Sequence, residues 1–389
     1  MSDLAKEEVR HLDLVSMGCR WVLDVSDLDE VSAAQTAARW RRCIDLATAA
    51  TTIVDDEPET IRATATQQPY DLSRELTRKG LMRLRGRVTL LHAAALADAS
   101  GRAIALVAPS GGGKSTATSV LGRRLGYLSD ETLVLLEDHG IAPHPKPPSL
   151  VVDPDDRWRK DEPAPDELDL GPTPGQARLA RLLTLERDED VTEPAIEPVG
   201  LIDQLLAVLP ETSSTWLVPA GLDRLARAVT VGGPPARLRY AEVDTCHDLV
   251  REHLAAPETQ APTWEHLPPD EAERLRPDEA ERRTVEQVRG GEPAISQESD
   301  DDLDGSDGLV RAPWSDAIAH DGEVLVLAGA RPLRLAGAGA TIWLAARNER
   351  TLDELTDVVV AELGDHPDSS ALVRAAVVDL LDHGVLALA

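Results

Sequence analysis

The stretch Ala108-Pro109-Ser110-Gly111-Gly112-Gly113-Lys114-Ser115-Thr116 decides how the rest of the chain is interpreted. It follows the pattern Gly-x-x-x-x-Gly-Lys-Ser/Thr, except that Ala108 replaces the first glycine. Glycines let backbone N–H groups turn toward an anion, and the helix that follows adds its positive N-terminal end. A buried strand is predicted over 102–107, and a helix from the loop to about Arg124. The stretch therefore predicts a loop that binds the phosphates of a nucleotide.

Two side chains carry most of the chemistry of this motif. Lys114, one of five lysines in the chain, is expected to reach the outer phosphates. The Ser115 hydroxyl is expected to hold Mg²⁺. The implied ligands are ATP or another nucleoside triphosphate, together with Mg²⁺. The residues expected to contact the nucleotide are Ser110, Gly111, Gly112, Gly113, Lys114, Ser115 and Thr116.

A pair of acids follows the motif. Asp130 and Glu131 lie within 127–136, which is predicted as the strand after the loop helix. A carboxylate at this spacing can sit beside a metal ion or accept a proton from an attacking hydroxyl. Adjacent residues on a strand point to opposite faces. Only one of the two acids can therefore face the phosphates, unless the strand ends or bulges there.

Two further residues near the motif are candidates for a role. His92 lies on a strand predicted over 88–97, just before the strand that enters the loop. A histidine in such a strand, taken alone, is more often structural than catalytic. Lys146, in Pro145-Lys146-Pro147, is expected to be an exposed loop lysine.

Composition limits the classes of function. A net charge of −29 argues against a general nucleic-acid or membrane binder. Three scattered cysteines fit a reducing compartment without a disulfide framework or a zinc cluster. The first eight residues lack the basic and apolar regions of a signal peptide, and no apolar run approaches the length of a membrane span. We therefore expect a cytoplasmic protein.

The pattern of elements predicts two domains and a linker. Residues 1–255 alternate strand, loop and helix, which predicts an α/β domain; within it, 177–185 is predicted as a short helix leading into a strand. Residues 256–308 are predicted to be a flexible, Pro-rich linker without a core, because sixteen acids and five arginines fall between Glu258 and Asp307. Residues 309–389 contain two or three predicted strands and three helices, which predicts a small α+β winged-helix domain.

The motif and its neighbours resemble the HPr kinase family. The resemblance is strong over 88–150 and extends weakly over 15–255. It implies a P-loop domain like that of phosphoenolpyruvate carboxykinase, which transfers phosphate from a nucleotide to a Ser hydroxyl of a protein or peptide. It also implies that Lys114, His92 and Asp130 are catalytic, with Asp130 as the base and Glu131 in place of a second Asp that serves the metal. The matching segments are Leu91–Ala94, Ala105–Thr116, Gly126–Glu131 and Pro145–Pro147.

The C-terminal segment is similar to PqqD and to the peptide-binding domains of ribosomal peptide natural-product pathways. The matching segments are Asp321–Leu327, Pro332–Leu335, Gly337–Trp343, Arg350–Leu355 and Val377–Leu386. The resemblance implies that the leader region of a ribosomally made precursor peptide adds as a strand and packs against the last helix. The implied contacts are Arg331, Pro332, Leu333, Arg334, Leu335, Leu372, Ala375, Ala376 and Asp379.

Several functions remain open at this stage. The chain is either a kinase that phosphorylates a Ser or Thr of the captured peptide, or an adaptor that carries the peptide to separate tailoring enzymes. A regulator of sugar uptake fits poorly with the fused peptide-binding module. The C-terminal segment could instead serve dimerisation or packing. Its twelve acids and six arginines from Leu309 to Ala389 argue against DNA binding.

Overall fold

The structure is a computed structural model that describes residues 11–48, 52–54, 57–152, 160–271, 273–288 and 303–389. The described residues form a mixed α/β structure with a large mixed sheet and eleven α-helices, which confirms the predicted α/β class. The chain divides into two compact units. The first comprises the residues up to Ser213 and Arg227–Ala261, and the second comprises Ser214–Ala226 and Pro262–Ala389. Within the described residues, no helix is both long enough and apolar enough to span a bilayer.

The first unit contains most of the strands. They are β1 (His11–Ser16), β2 (Cys19–Asp24), β3 (Glu59–Arg62), β4 (Thr89–Leu91), β5 (Ala93–Ala97), β6 (Arg102–Val107), β7 (Gly126–Ser129), β8 (Leu133–Leu135), β9 (Gly140–Ala142), β10 (Leu150–Val151), β11 (Lys160–Asp161), β12 (Ala177–Arg187), β13 (Ala195–Pro198), β14 (Thr212–Ser213) and β15 (Ala236–Tyr240). The helices up to Ala255 are α1 (Glu30–Arg39), α2 (Arg41–Leu46), α3 (Pro69–Leu84), α4 (Lys114–Leu121), α5 (Leu201–Val208), α6 (Gly221–Val229) and α7 (His247–Ala255).

The large sheet positions the glycine motif at its centre. Its strand order is β14-β4-β8-β9-β12-β6-β5-β7, and β15 pairs with both β12 and β13. Strands β6, β12 and β15 run parallel to one another, and the other neighbours are antiparallel. The motif leaves the end of β6 and enters α4, whose Ala117 and Leu121 pack against Leu106 and Leu183 of the sheet. A strand that is buried on both faces has a nearly continuous run of apolar residues in its sequence, as β5 and β6 have.

Three predicted elements differ from the structure. Residues 177–187 form one long strand, because pairing with β6 on one side and β15 on the other outweighs the helical propensity of its Ala, Leu and Arg residues. The strand predicted over 88–97 is interrupted at His92, whose N–H donates to the Glu211 carbonyl at 2.6 Å. The strand predicted over 127–136 ends at Ser129, whose hydroxyl accepts from the N–H groups of Glu131 and Thr132.

The second unit is built on two small sheets. Its elements after Ala261 are β16 (Glu265–His266), α8 (Pro277–Val288), β17 (Gly308–Arg311), β18 (Asp316–His320), β19 (Glu323–Ala328), β20 (Arg331–Leu335), α9 (Ala338–Ala345), β21 (Arg350–Thr351), α10 (Leu352–Leu363), α11 (Ser369–Asp382) and β22 (Leu386–Leu388). The sheet orders are β16-β18-β19-β20 and β21-β17-β22. Trp314 and Trp343 meet edge to face in the core, with ring centroids 5.2 Å apart.

Part of the predicted linker has a defined structure. Glu265–His266 pairs with β18, and the Leu275 N–H donates to the Trp314 carbonyl at 3.0 Å. Leu275 and Ala280 are both buried. The expectation that 256–308 contains no core is therefore corrected at these two residues. Residues 289–302 of the predicted linker lie outside the described residues.

Candidate functional site

The glycine loop, residues 108–113, has the backbone geometry that its composition predicts. Gly111 and Gly113 have φ values of 82° and 94°, in the left-handed region that favours glycine. A Cβ on Gly113 would lie 2.8 Å from the hydroxyl oxygen of Tyr240, so a larger residue would be both strained and crowded. Gly113 is also the N-cap of α4, and the first N–H groups of this helix have no partner within it. The loop can therefore present backbone N–H donors to an anion.

Ala108, the departure from the motif, fits the loop without strain. It is absent from the six non-glycine residues with positive φ in the described part of the chain. Its side chain is 2% exposed and belongs to the same apolar cluster as Ala117. A Cβ on Gly112 would lie 2.8 Å from the Ala108 Cβ. The methyl group at position 108 thus occupies the space that glycine at position 112 leaves free.

Lys114 is folded back onto the glycine loop. Its Nζ donates to the Ala108 carbonyl, lies 3.3 Å from the Pro109 carbonyl, and is 3.5 Å from Nδ1 of His92. Burial lowers the pKa of Lys114, and the charges of Glu211 and Glu131 partly oppose that shift. Two carboxylates therefore act on the ammonium group, and Asp130 is not one of those found to act on it.

His92 and Glu211 form a close pair beside Lys114. The Glu211 Oε2 atom lies 2.9 Å from Nδ1 of His92. The imidazole side chain is 45% exposed and the Glu211 side chain is 12% exposed, so the ring is open to solvent and its partner is largely covered. Sequence reasoning missed Glu211, because it lies 119 residues from His92 in a short helical turn, Leu209–Glu211, with no local motif around it.

Asp130, which the resemblance implied to be the base, is buried, with 2% of its surface exposed. Its Oδ1 atom lies 3.1 Å from Nζ of Lys146 and accepts from the Tyr127 hydroxyl at 3.0 Å. Its Oδ2 atom accepts from the Ser149 N–H at 3.1 Å. Burial alone would raise the pKa of Asp130, but Lys146 and the Ser149 N–H outweigh it, so the pKa is lowered. Both oxygens are engaged within the protein.

Lys146 is also buried, although the sequence predicted an exposed lysine. Its side chain is 1% exposed, and Nζ donates to the Pro147 carbonyl and the Ser149 hydroxyl besides pairing with Asp130. Burial lowers the pKa of Lys146, but the charges of Asp130, Glu131 and Glu162 raise it well above its usual range. Glu162 accepts from the hydroxyls of Ser73 and Ser149, and burial raises its pKa.

The side chains of Asp130 and Glu131 lie in different surroundings, because β7 ends at Ser129 and the two residues no longer belong to a strand. The Glu131 side chain is 29% exposed, and its Oε2 lies 3.7 Å from Nζ of Lys146. Ser115 and Thr116 are exposed on the first turn of α4, and Ser110 and Gly111 are exposed in the loop. A serine hydroxyl and a carboxylate are the hard oxygen ligands that Mg²⁺ prefers beside phosphates. Among the described residues, no group of three or more His, Cys, Asp and Glu side chains could hold a metal by itself.

The predicted peptide contacts lie on the surface of the second unit. In the described residues β20 (Arg331–Leu335) pairs only with β19, so it is the edge strand of its sheet. On α11 the side chains at Leu372, Ala375 and Asp379 are exposed and Ala376 is half-buried. Val373, Val377 and Leu380 face the core instead. Leu372 is 57% exposed.

Comparison with known protein families found no match to the chain, and a search of curated proteins found none.

Proposed function

We propose that the chain is a phosphotransferase that uses ATP, or another nucleoside triphosphate, to phosphorylate a Ser or Thr hydroxyl of a ribosomally made peptide. The observation that carries the proposal is the convergence of Lys114, His92 and Glu211 at a glycine loop whose backbone suits an anion. A cation, a proton-accepting group and open N–H donors are the parts that phosphoryl transfer requires. The resemblance to the HPr kinase family is in keeping with this reading.

The nucleotide phosphates would lie against the N–H groups of residues 110–116, with Lys114 turning from the loop carbonyls toward them. Ser115 and Glu131 fit a magnesium ion at this end of the loop by the chemistry of their oxygens. When bound, Mg²⁺ would neutralise charge on the phosphates. Glu131 rather than Asp130 takes this role in the proposal, because Glu131 reaches solvent and Asp130 does not.

The acceptor peptide would be held by the second unit, through its leader region. The open edge of β20 offers backbone hydrogen bonds to an added strand, and the exposed face of α11 offers Leu372 and Ala375 to its side chains. Holding the leader raises the effective concentration of the acceptor hydroxyl near the nucleotide, so the catalytic cleft itself needs little affinity for the peptide. Other tailoring enzymes of the same pathway are further partners under this proposal.

A second candidate function is a non-catalytic adaptor that delivers the precursor peptide to separate tailoring enzymes. One observation favours it: Asp130, the expected base, is locked in a buried pair with Lys146. Under this alternative the glycine loop would be a structural remnant, and the second unit would do all the binding. The cytoplasm suits both candidates, since the three cysteines are free thiols.

A single experiment separates the two candidates. The full chain is incubated with ATP, Mg²⁺ and a precursor peptide encoded beside its gene, and the peptide mass is measured. The kinase predicts the gain of one phosphate, lost in Lys114→Ala and retained in the control Lys79→Ala, which removes a lysine paired with Glu59 and Glu75 elsewhere. Peptide binding without any gain in mass, unchanged by Lys114→Ala, would establish the adaptor.

A further inference from the structure

His92 lies at a break in the sheet and therefore differs from a histidine within a regular strand. Strands β4 and β5 stop on either side of it, and its N–H bonds to the Glu211 carbonyl. The same residue, Glu211, therefore holds the backbone and the ring of His92 at once, at 2.6 Å and 2.9 Å. A buried strand histidine needs no such arrangement. Here the ring is half-exposed next to the glycine loop.

The contact with Glu211 determines which ring nitrogen is available. A carboxylate accepts hydrogen bonds only, so the 2.9 Å contact requires a proton on Nδ1 of His92. In the neutral ring, Nε2 then carries the lone pair. The ammonium of Lys114 also approaches Nδ1, but its 3.5 Å distance is at the limit of a hydrogen bond and its Nζ already donates to the loop carbonyls.

The other candidate bases are less suited to accept a proton. Both oxygens of Asp130 are engaged by Lys146, Tyr127 and Ser149 in the protein interior. Glu131 lies 3.7 Å from the Lys146 ammonium and is assigned to the magnesium ion in the proposed function. Within the described part of the chain, His92 is left as a half-exposed group beside the loop whose Nε2 makes no hydrogen bond to other described residues.

We propose that Nε2 of His92 is the general base of the transfer and that Glu211 is the residue that positions it, an inference that rests on the proposed phosphotransferase function. The acceptor hydroxyl oxygen forms a bond to the γ-phosphorus, and its proton passes to Nε2 of His92. The bond from the γ-phosphorus to the bridging oxygen breaks, and its electron pair leaves on the nucleoside diphosphate. The imidazolium that results is stabilised by the Glu211 carboxylate, in the manner of other carboxylate-oriented histidine bases.

Two independent measurements test the inference on the full chain. The first is the tautomer of His92, read from ring ¹⁵N shifts of histidine-labelled protein without nucleotide. The wild type is expected to carry the proton on Nδ1, and Glu211→Ala, which removes the acceptor, is expected to lose that preference. The second is the rate of phosphate transfer, compared between the wild type and the variants below.

Variants make the outcome decisive. His92→Gln is expected to lose about 10²- to 10⁴-fold in transfer rate, the usual contribution of a general base. His11→Gln and Glu242→Gln are the controls, because both side chains are mostly exposed and each pairs with a residue other than His92 or Glu211. If the wild type transfers phosphate but His92→Gln remains within twofold of it, or if the tautomer of His92 is unchanged in Glu211→Ala, the dyad is overturned and the phosphotransferase stands. If the wild type transfers no phosphate, the proposed function fails first.

Discussion

Lys146 and Asp130 form an ion pair in the interior of the first unit, with Nζ 3.1 Å from Oδ1 and both side chains 1% exposed. Tyr127, Ser149 and the Pro147 carbonyl make further hydrogen bonds to the two charged groups of the pair. A buried charge is tolerated only when it is paired and hydrogen-bonded. The pair therefore fixes the loop that carries Lys146 against the end of β7. Glu131, the next residue, lies beside this pair, with Oε2 3.7 Å from the Lys146 Nζ and 29% of its side chain exposed.

Breaking this pair from one side should destabilise the first unit. Lys146→Met leaves Asp130 charged and uncompensated, so we expect a loss of about 3–5 kcal/mol in the free energy of unfolding. The double variant Lys146→Met, Asp130→Asn should lose less than the single variant, because it removes both charges. Denaturant titration measures each. Arg187→Gln, at an exposed ion pair with Glu242, is the matched control and should change stability by about 1 kcal/mol or less. A double variant less stable than Lys146→Met would contradict the account.

His144 should make the first unit lose stability on mild acidification. It is fully buried between Ser16 and Thr77, and burial together with the charge of Lys146 lowers its pKa to about 3, against the opposing charge of Asp130. The unfolded chain takes up a proton at this histidine below about pH 6.5, and the folded chain does not. Stability is thus fully present above that pH and falls by about 1.4 kcal/mol per unit as pH decreases toward 3.

The matched variant for this prediction is His144→Gln, which can still bond to Ser16 and Thr77 but cannot titrate. Its unfolding free energy is measured in urea between pH 7 and pH 5, about the range in which histidine titrates. The pH slope of this free energy should be smaller than in the wild type, because unfolding of the variant takes up one proton fewer. Glu162, whose pKa burial raises, contributes with the opposite sign in both proteins and cancels in the comparison. Equal pH slopes for the two proteins would show that His144 is not held neutral.

The glycine loop should depend on Gly113 more than on the first position of the motif. Gly113→Ala places a Cβ 2.8 Å from the Tyr240 hydroxyl at a φ of 94°, so we expect nucleotide affinity to fall by about tenfold or more. Ala108→Gly should bind within about twofold of the wild type, because Ala108 is not strained. Fluorescent nucleotide titration reads both. Gly175→Ala is the control, since a Cβ there meets nothing within 4 Å. Equal effects at positions 113 and 175 would refute the loop geometry.

The exposed face of α11 should bind the leader peptide. Leu372→Asp is expected to weaken binding of a labelled precursor peptide by about tenfold or more, because truncating or charging an apolar anchor typically costs over 1 kcal/mol. Leu363→Asp, on α10, is the matched control: this leucine is 53% exposed and Leu372 is 57% exposed. Fluorescence anisotropy measures both affinities. An equal loss in the two variants would indicate a general effect of surface charge rather than a binding face.

The sequence predicted what local patterns encode. The glycine loop, the helix after it, and the three C-terminal helices follow from glycine spacing, apolar periodicity and caps, as at Thr351, which caps α10 through the Glu354 N–H. Contacts between distant segments were missed. Lys146 was expected at the surface because no residue near it in the sequence indicates its pairing with Asp130, 16 residues away. No sequence pattern linked Glu211 to His92. The start of β12 was predicted as a helix, because its pairing with two parallel strands is not visible in the sequence.

Transfer of the terminal phosphate is the most direct test of the central claim. The full chain is incubated with γ-³²P-labelled ATP, Mg²⁺ and the precursor peptide, and label on the peptide is counted after separation. The account predicts label on a Ser or Thr of the peptide, a loss of about 10²-fold or more in Lys114→Ala, and no loss in Lys79→Ala. A peptide that binds the wild type tightly and acquires no label would contradict it.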